Sequence, residues 1–208
     1  IDIGASSKQE AEKLVSLGDF AYFASEYTEL GGNKIKSKAI DDRAGCAIML
    51  DLIEKELEYD TYFVFNVQEE VGLRGARTSA FNVQPDFAIV LETTTASDIP
   101  SVSGNKRVCE LGKGAVISYM DRATVYDREL YKLAIETASE NKIPYQTKTM
   151  IAGGNDSGAI HVSAYGVKTT AISAPCRYLH SPSCVAEIAD IEACEKLTES
   201  LISRLATL

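Results

Sequence analysis

The stretch RAGCAIMLDLIEKELEYDTYFVFNVQEEVGLRGA, residues 43–76, decides the fold class. Over residues 43–57 apolar side chains recur at helical spacing, with Cys46, Leu50, Ile53 and Leu57 on one face. Residues 61–67, TYFVFNV, form an apolar run with the length and aromatic and β-branched content of a buried strand. A helix that runs directly into a buried strand is the building unit of an α/β protein. The strand then meets two adjacent carboxylates, Glu69 and Glu70, and a glycine-punctuated turn. An unpaired buried carboxylate is costly, so this pair requires partners such as water, basic side chains or metal ions.

The alternation continues in both directions. Upstream, residues 2–4 read as a strand, 8–15 as a helix and 19–23 as a strand; TELGGN at 28–33 reads as a turn, and 34–39 as a short alternating strand. Downstream come a helix at 74–80, strands at 87–91 and 115–119, a helix at 128–141 and a strand at 145–150. A short helix at 157–164, a strand at 168–173 and an amphipathic helix at 190–205 complete the series. This order predicts a three-layer α/β sandwich whose sheet is mostly parallel and largely buried, with its site beyond the carboxyl ends of strands. Residues 1–33 read as the end of a small subdomain and residues 34–208 as the main domain. There is no repeat, low-complexity tract or long linker.

Of the 208 residues 45% are hydrophobic and 25% charged, the profile of a globular chain with a sizeable core. A net charge of -9 argues against nucleic acid as a partner, because phosphate contacts need a basic surface, whereas a basic or amine-bearing ligand fits. No apolar run reaches membrane-spanning length and no charged-then-apolar leader opens the sequence, which predicts a soluble, cytoplasmic protein without a membrane partner. The five cysteines form no CxxC pair and are odd in number, so they read as reduced, mostly buried thiols.

Onto this map fall the chemistry-bearing residues. KAIDDRAG places Asp41 and Asp42 between a strand and a helix, NVQEEVG places Glu69 and Glu70 after a strand, IVLETTTASD places Glu92 at a strand end, and CRYLHSPS places His180 in the loop after the last strand. Oxygen ligands with one imidazole suit zinc, cobalt or manganese better than calcium. Singly, each has a plainer reading: Asp41 as a helix cap, Glu92 as a solvated loop residue, His180 as a surface histidine. Adjacent glutamates on a regular strand point to opposite faces, which disfavours both holding one ion. It suits a division of labour, in which one binds metal and the other moves a proton.

Taken as a set and in order, DDR, EEVGLRGA, the acid after IVL, GGNDSGAI and RYLHS resemble the co-catalytic di-metal aminopeptidases, the family of glutamyl aminopeptidases, so-called endoglucanases and tetrahedral aminopeptidases. The resemblance extends over essentially the whole sequence and corresponds to the C-terminal two-thirds of the family. It implies an α/β/α sandwich of the zinc-exopeptidase type, removal of N-terminal residues from peptides, and homo-oligomers. It also implies two divalent ions in the complete protein and one in this chain. Carried over position by position, it makes Asp41 a bridging ligand, Glu69 the general base, and Glu70, Glu92 and His180 metal ligands. Asp42 and Arg43 become neighbours that orient ligands. Gly153, Gly154 and Asp156 shape a substrate pocket, with Asn155 where threonine is more usual. His161 matches no ligand position and reads as packing.

One departure matters. The family's early His-x-Asp motif is absent, since the only histidines are His161 and His180. By resemblance, residues 1–33 are then the late part of an inserted dimerisation domain, and the strands that precede it are missing. That implies a lost imidazole at the ion held by Asp41 and Glu92, impaired activity, and an unpaired sheet edge. Two other classes compete: a non-catalytic scaffold of the same fold, which would need no metal, and a glycoside hydrolase. Consecutive glutamates do not readily flank a glycosidic bond at about 5 to 9.5 Å, and tryptophan is absent.

Overall fold

The computed structural model describes residues 1–208. Its elements are, in order, α1 (Lys8–Leu14), β1 (Thr28–Leu30), β2 (Lys34–Ser37), α2 (Ile40–Ile53), α3 (Arg74–Val83), β3 (Phe87–Thr95), β4 (Ala115–Ile117), α4 (Arg128–Glu140), β5 (Tyr145–Thr147), α5 (Ser157–Ile160), β6 (Lys168–Arg177), β7 (Cys184–Glu187) and α6 (Ile188–Leu205). The apolar strand β6 is the centre of a seven-stranded sheet. Along one edge it pairs in parallel with β3, from Phe87 opposite Lys168 to Thr95 opposite Cys176. Its other side carries β4 and then β7, both antiparallel. Strand β5 joins β4 in parallel, and β2 and β1 extend the sheet from β7 in antiparallel steps.

Alternate residues of β3 and β6 separate the two helix layers. Ile172 and Ala174 pack with Ile48 and Leu52 of α2, Leu130 and Ala134 of α4, and Leu197 and Leu201 of α6. Val90 and Ala171 face the other way, onto Ala76 and Ala80 of α3 and Ala159 and Ile160 of α5. The α/β/α sandwich expected from the sequence is therefore present, and each fully buried leucine contributes about 1.5 to 3 kcal/mol by leaving water. Asp127 caps α4 by accepting hydrogen bonds from the Glu129 and Leu130 amides.

Several expectations are corrected. The sheet is mixed, not mostly parallel: four of its six pairings are antiparallel. The β6–β7 connection is too short for a crossover, which requires a dozen or more residues, so it forms a hairpin. The α2 helix buries Ala44, Ile48 and Leu52, whereas Leu50 and Ile53 are exposed and Leu57 lies beyond its end. Its sequence is apolar almost all round, so spacing alone did not select the buried face. Residues 2–4 and 19–23 form no strand, and the expected 28–33 turn contains β1 and the bend of a β1–β2 hairpin. Residues 61–67 also form no ladder, because no strand lies beside them. All five cysteines are free and four are buried. No helix is long and apolar enough to cross a membrane.

Candidate metal centre

Three separate segments bring Asp41, Glu70 and His180 together. After β2, Ala39 adopts a left-handed φ of 54° and turns the chain into α2, where Asp41 and Asp42 keep non-helical backbone angles and share a cis peptide bond. Asp42 Oδ1 accepts the Gly45 amide at 3.0 Å. Gly45 has no room for a side chain, since a Cβ there would stand 2.8 Å from the Leu91 carbonyl oxygen. This close approach seats the start of α2 on β3.

The two glutamates lie in a turn, where strand alternation does not govern their directions. Gln68 has a φ of 60°, and the Glu69 carbonyl accepts the amides of Gly72 and Leu73, both at 3.0 Å. His180 sits in the β6–β7 hairpin, itself left-handed with a φ of 60°. Left-handed non-glycine residues each cost on the order of 1 to 3 kcal/mol, and their presence in all three delivering loops marks a locally constrained arrangement. His180 Nε2 is 3.2 Å from Asp41 Oδ2 and 3.2 Å from Glu70 Oε2. One oxygen or nitrogen from each of the three residues lies within 4.8 Å of the others. His180 and Glu70 are exposed, so the triad opens to solvent.

Glu92 belongs to the same rim but not to this triad. It lies inside β3, opposite Ser173, because β3 continues to Thr95 rather than ending near Leu91. The Asn155 side-chain amide donates to Glu92 Oε1 at 3.1 Å and to the Tyr126 hydroxyl at 2.8 Å. Tyr126 in turn donates to Asp121 Oδ2 at 2.6 Å, and the Ala123 and Thr124 amides hold the other Asp121 oxygen. The Asn66 side-chain amide donates to Asp156 Oδ2 at 2.9 Å, while Asp156 Oδ1 is buried without a partner. Asn66 and Tyr126 escaped the sequence reading. The signal available for Asn66 was its polarity inside the apolar run FVFNV.

Crowding shows in the titration of these acids. Burial, with Asp156, Glu70 and Asp41 nearby, raises the Glu69 carboxyl to about 7. Burial raises Asp42 to about 8 against the opposing Gly45 hydrogen bond, with Asp41 adding to the rise. Burial also lifts Glu92 well above the carboxylate range, and raises Glu70 and Asp156. Apart from His180, no basic side chain pairs with any of the six acids. Arg43 is exposed and makes no ion pair. Gly153 and Gly154 lie exposed in the loop before α5, where the Gly153 carbonyl accepts the Arg122 amide. Asp156 faces the carboxylate cluster, and His161 turns its Nδ1 to the Ser157 carbonyl, outside it. A concentration of acids with so few donors has the charge and the open ligand atoms that could hold a cation.

The profile of the M42 glutamyl aminopeptidase family matches residues 1–197. This chain belongs to the M42 family. A protein of Acetivibrio thermocellus carrying an aminopeptidase name is 45% identical over 199 residues, covering 95% of this chain and 59% of that protein. A solved structure, an aminopeptidase of the archaeon Desulfurococcus kamchatkensis, superposes with a TM-score of 0.91 at 39% identity over 98% of this chain and 58% of its own. A Pyrococcus horikoshii TET1 peptidase, described as assembling into a tetrahedron or a large octahedral shell, superposes with a TM-score of 0.81 at 34% identity over 97% and 59%. This M42 chain thus spans just under three fifths of the length of these relatives.

Proposed function

We propose that the chain is the metal-holding part of an aminopeptidase that hydrolyses N-terminal residues from peptides. The observation that carries this reading is the convergence of Asp41, Glu70 and His180 from three distant segments to within 4.8 Å. Two carboxylate oxygens and an imidazole nitrogen, open to solvent on one side, form a donor set suited to zinc, cobalt or manganese. A second ion would rest on Asp41 and Glu92, with Asn155 holding the Glu92 carboxylate in place. A divalent ion bound here supplies Lewis-acid charge beside a scissile carbonyl.

The protein's own groups divide the remaining work. Glu69 has no hydrogen-bond donor of its own and a carboxyl raised to about 7, a value suited to taking a proton from water and passing it to a leaving amine. Asp42 stays bonded to Gly45 and fixes the start of α2 beside Asp41. The negative rim, with Asp156 and the loop at Gly153 and Gly154, attracts the free amino group of a peptide. In this reading residues 1–33 are part of a dimerisation domain, residues 34–208 are the catalytic domain, and the complete protein is a cytoplasmic homo-oligomer. The test is Glu69→Gln and Glu70→Gln in a full-length M42 protein carrying these residues, assayed on aminoacyl chromophores. Glu69→Gln is expected to lose most of kcat at full metal content, and Glu70→Gln to lose metal as well. Full activity in Glu69→Gln would sink the assignment.

A further inference from the structure

Lys148 is the only lysine or arginine among the buried residues, at 4% exposure. It follows the last residue of β5, and its amide donates to the Ile117 carbonyl of β4 at 3.3 Å. Its side chain runs inward, and Nζ donates to the Ala152 carbonyl at 2.6 Å. An ammonium has three donors, and this contact uses one of them. Burial holds Lys148 below the usual lysine range, while the charges that face it, Glu92 and Asp121, oppose that fall. A charge withdrawn from water is costly, and an apolar side chain of the same length would pack there without that cost. A lysine kept in such a place beside a cleft of acids is a candidate for a functional role.

The contact falls on the loop between β5 and α5. Met150 and Ile151 are exposed and make no hydrogen bond, so between Thr149 and Gly153 the loop is held by Lys148 alone. Beyond it, the Gly153 carbonyl accepts the Arg122 amide at 2.9 Å. Asn155 Oδ1 accepts the Ser157 amide at 2.8 Å, which turns the Asn155 nitrogen toward Glu92 and Tyr126. We propose that Lys148 is a positioning residue: by holding the Ala152 carbonyl it sets the loop that carries Gly153, Gly154, Asn155 and Asp156 against the rim, where a peptide's amino end is received. This deepens the aminopeptidase reading and rests on it. The donor and the charge of Lys148 act in opposite directions. Loss of the donor loosens the loop and weakens peptide binding, whereas loss of the charge removes a repulsion of the incoming amine and strengthens it. The donor governs, because its contact is direct and no other bond holds that stretch of the loop.

The experiment compares Lys148→Met, which keeps the stem but neither donor nor charge, with Lys148→Arg, which keeps both. The first readout is amide hydrogen exchange in the metal-free chain. Lys148→Met is expected to speed exchange at Arg122 and Ser157, whose acceptors lie on the loop, at least tenfold, with the amides of α4 and β6 unchanged. Lys148→Arg is expected to stay within threefold of the unsubstituted chain. Unchanged exchange at Arg122 and Ser157, or equal acceleration throughout the fold, would overturn the proposal. The second readout is turnover of an aminoacyl chromophore by a full-length M42 protein carrying these residues. Lys148→Met is expected to raise KM at least fivefold with kcat and metal content within twofold, the pattern of lost binding rather than lost chemistry. An unchanged KM would overturn the positioning role, and a lowered KM would overturn it by making Lys148 a charge only. An unsubstituted protein without turnover would overturn the aminopeptidase reading instead, and the exchange readout, which needs neither metal nor substrate, would still decide whether Lys148 holds the loop.

Discussion

Two groups of carboxylates in this molecule are treated in opposite ways. Asp190, in the first turn of α6, is 1% exposed, and its two oxygens accept the Gly112 and Gly114 amides at 2.7 Å each. Asp98 is held by Arg177 through two hydrogen bonds of 2.6 and 2.8 Å and by the Leu111 amide at 3.0 Å. On the rim, by contrast, Asp41, Asp42, Glu69, Glu70, Glu92 and Asp156 share only the Gly45 amide, two asparagine side chains and His180. The same backbone supplies donors where an acid ties down a loop and withholds them at the rim. Uncompensated acids on a constrained frame do not serve stability, which is consistent with the proposed cation site.

Substitutions sharpen this contrast. The largest effect is expected from Asp190→Ala, which strands two backbone amides beneath α6. Its loss is about 3 kcal/mol in urea unfolding, since hydrogen bonds to charged groups each contribute about 1.5 to 3. A loss below the effect of Asn155→Ala would break the distinction. Asn155→Ala removes one neutral donor from Glu92 and Tyr126 and is expected to cost about 1 to 2 kcal/mol. Glu69→Gln, in metal-free protein, is expected to leave stability unchanged or raise it, because it removes one charge from a repelling cluster. Smallest of all is Lys168→Ala: its exposed pair with Glu129 is screened by solvent, and no measurable change is expected.

Asp98 and the rim acids differ in the sign of their pH dependence, whereas burial raises Asp190 as it raises the rim. Glu69 and Asp42, at about 7 and 8 in the fold, lie above their unfolded values of about 4.3 and 3.9. The folded state therefore binds their protons more tightly, and their destabilising charge is full above about pH 8 and relieved as pH falls toward 5. Burial pushes the Asp98 carboxyl up, but Arg177 and the Leu111 amide outweigh it and hold it below the usual range. Its contribution is full above the unfolded value of about 3.9 and is lost as pH falls through the lower folded value. Thermal melting of chelator-treated protein is expected to show higher stability at pH 6 than at pH 8.5, then a fall below pH 4. A flat profile between pH 6 and 8.5 would contradict the crowding of the rim.

Asp41, Asp42, Glu69 and Glu70 were legible in the sequence because they sit where extended segments turn toward helices, a placement that period and turn residues reveal. The three layers were legible for the same reason. The buried face of α2 was not, since a run such as GCAIMLDLI presents apolar residues in every direction and only the position of β3 selects Ile48 and Leu52. Strand β7 was hidden in a short segment whose existence depends on a hairpin partner. Residues 61–67 read as a strand from composition, yet a strand is defined by its neighbours, and here both flanks are open. Glu92 was read as a strand end because apolar character stops at Leu91, whereas the β3 ladder runs on through three threonines to Cys176.

The account's central claim is that the unmatched acids of the rim hold a divalent cation. Its most direct test is elemental analysis of the chain after equilibrium dialysis against zinc, cobalt or manganese, beside Glu69→Gln and Glu70→Gln. About one ion per chain, retained in Glu69→Gln and lost in Glu70→Gln, is the expected result, three protein ligands being the usual number for an open metal site. No bound ion, or equal loss in both variants, would contradict it.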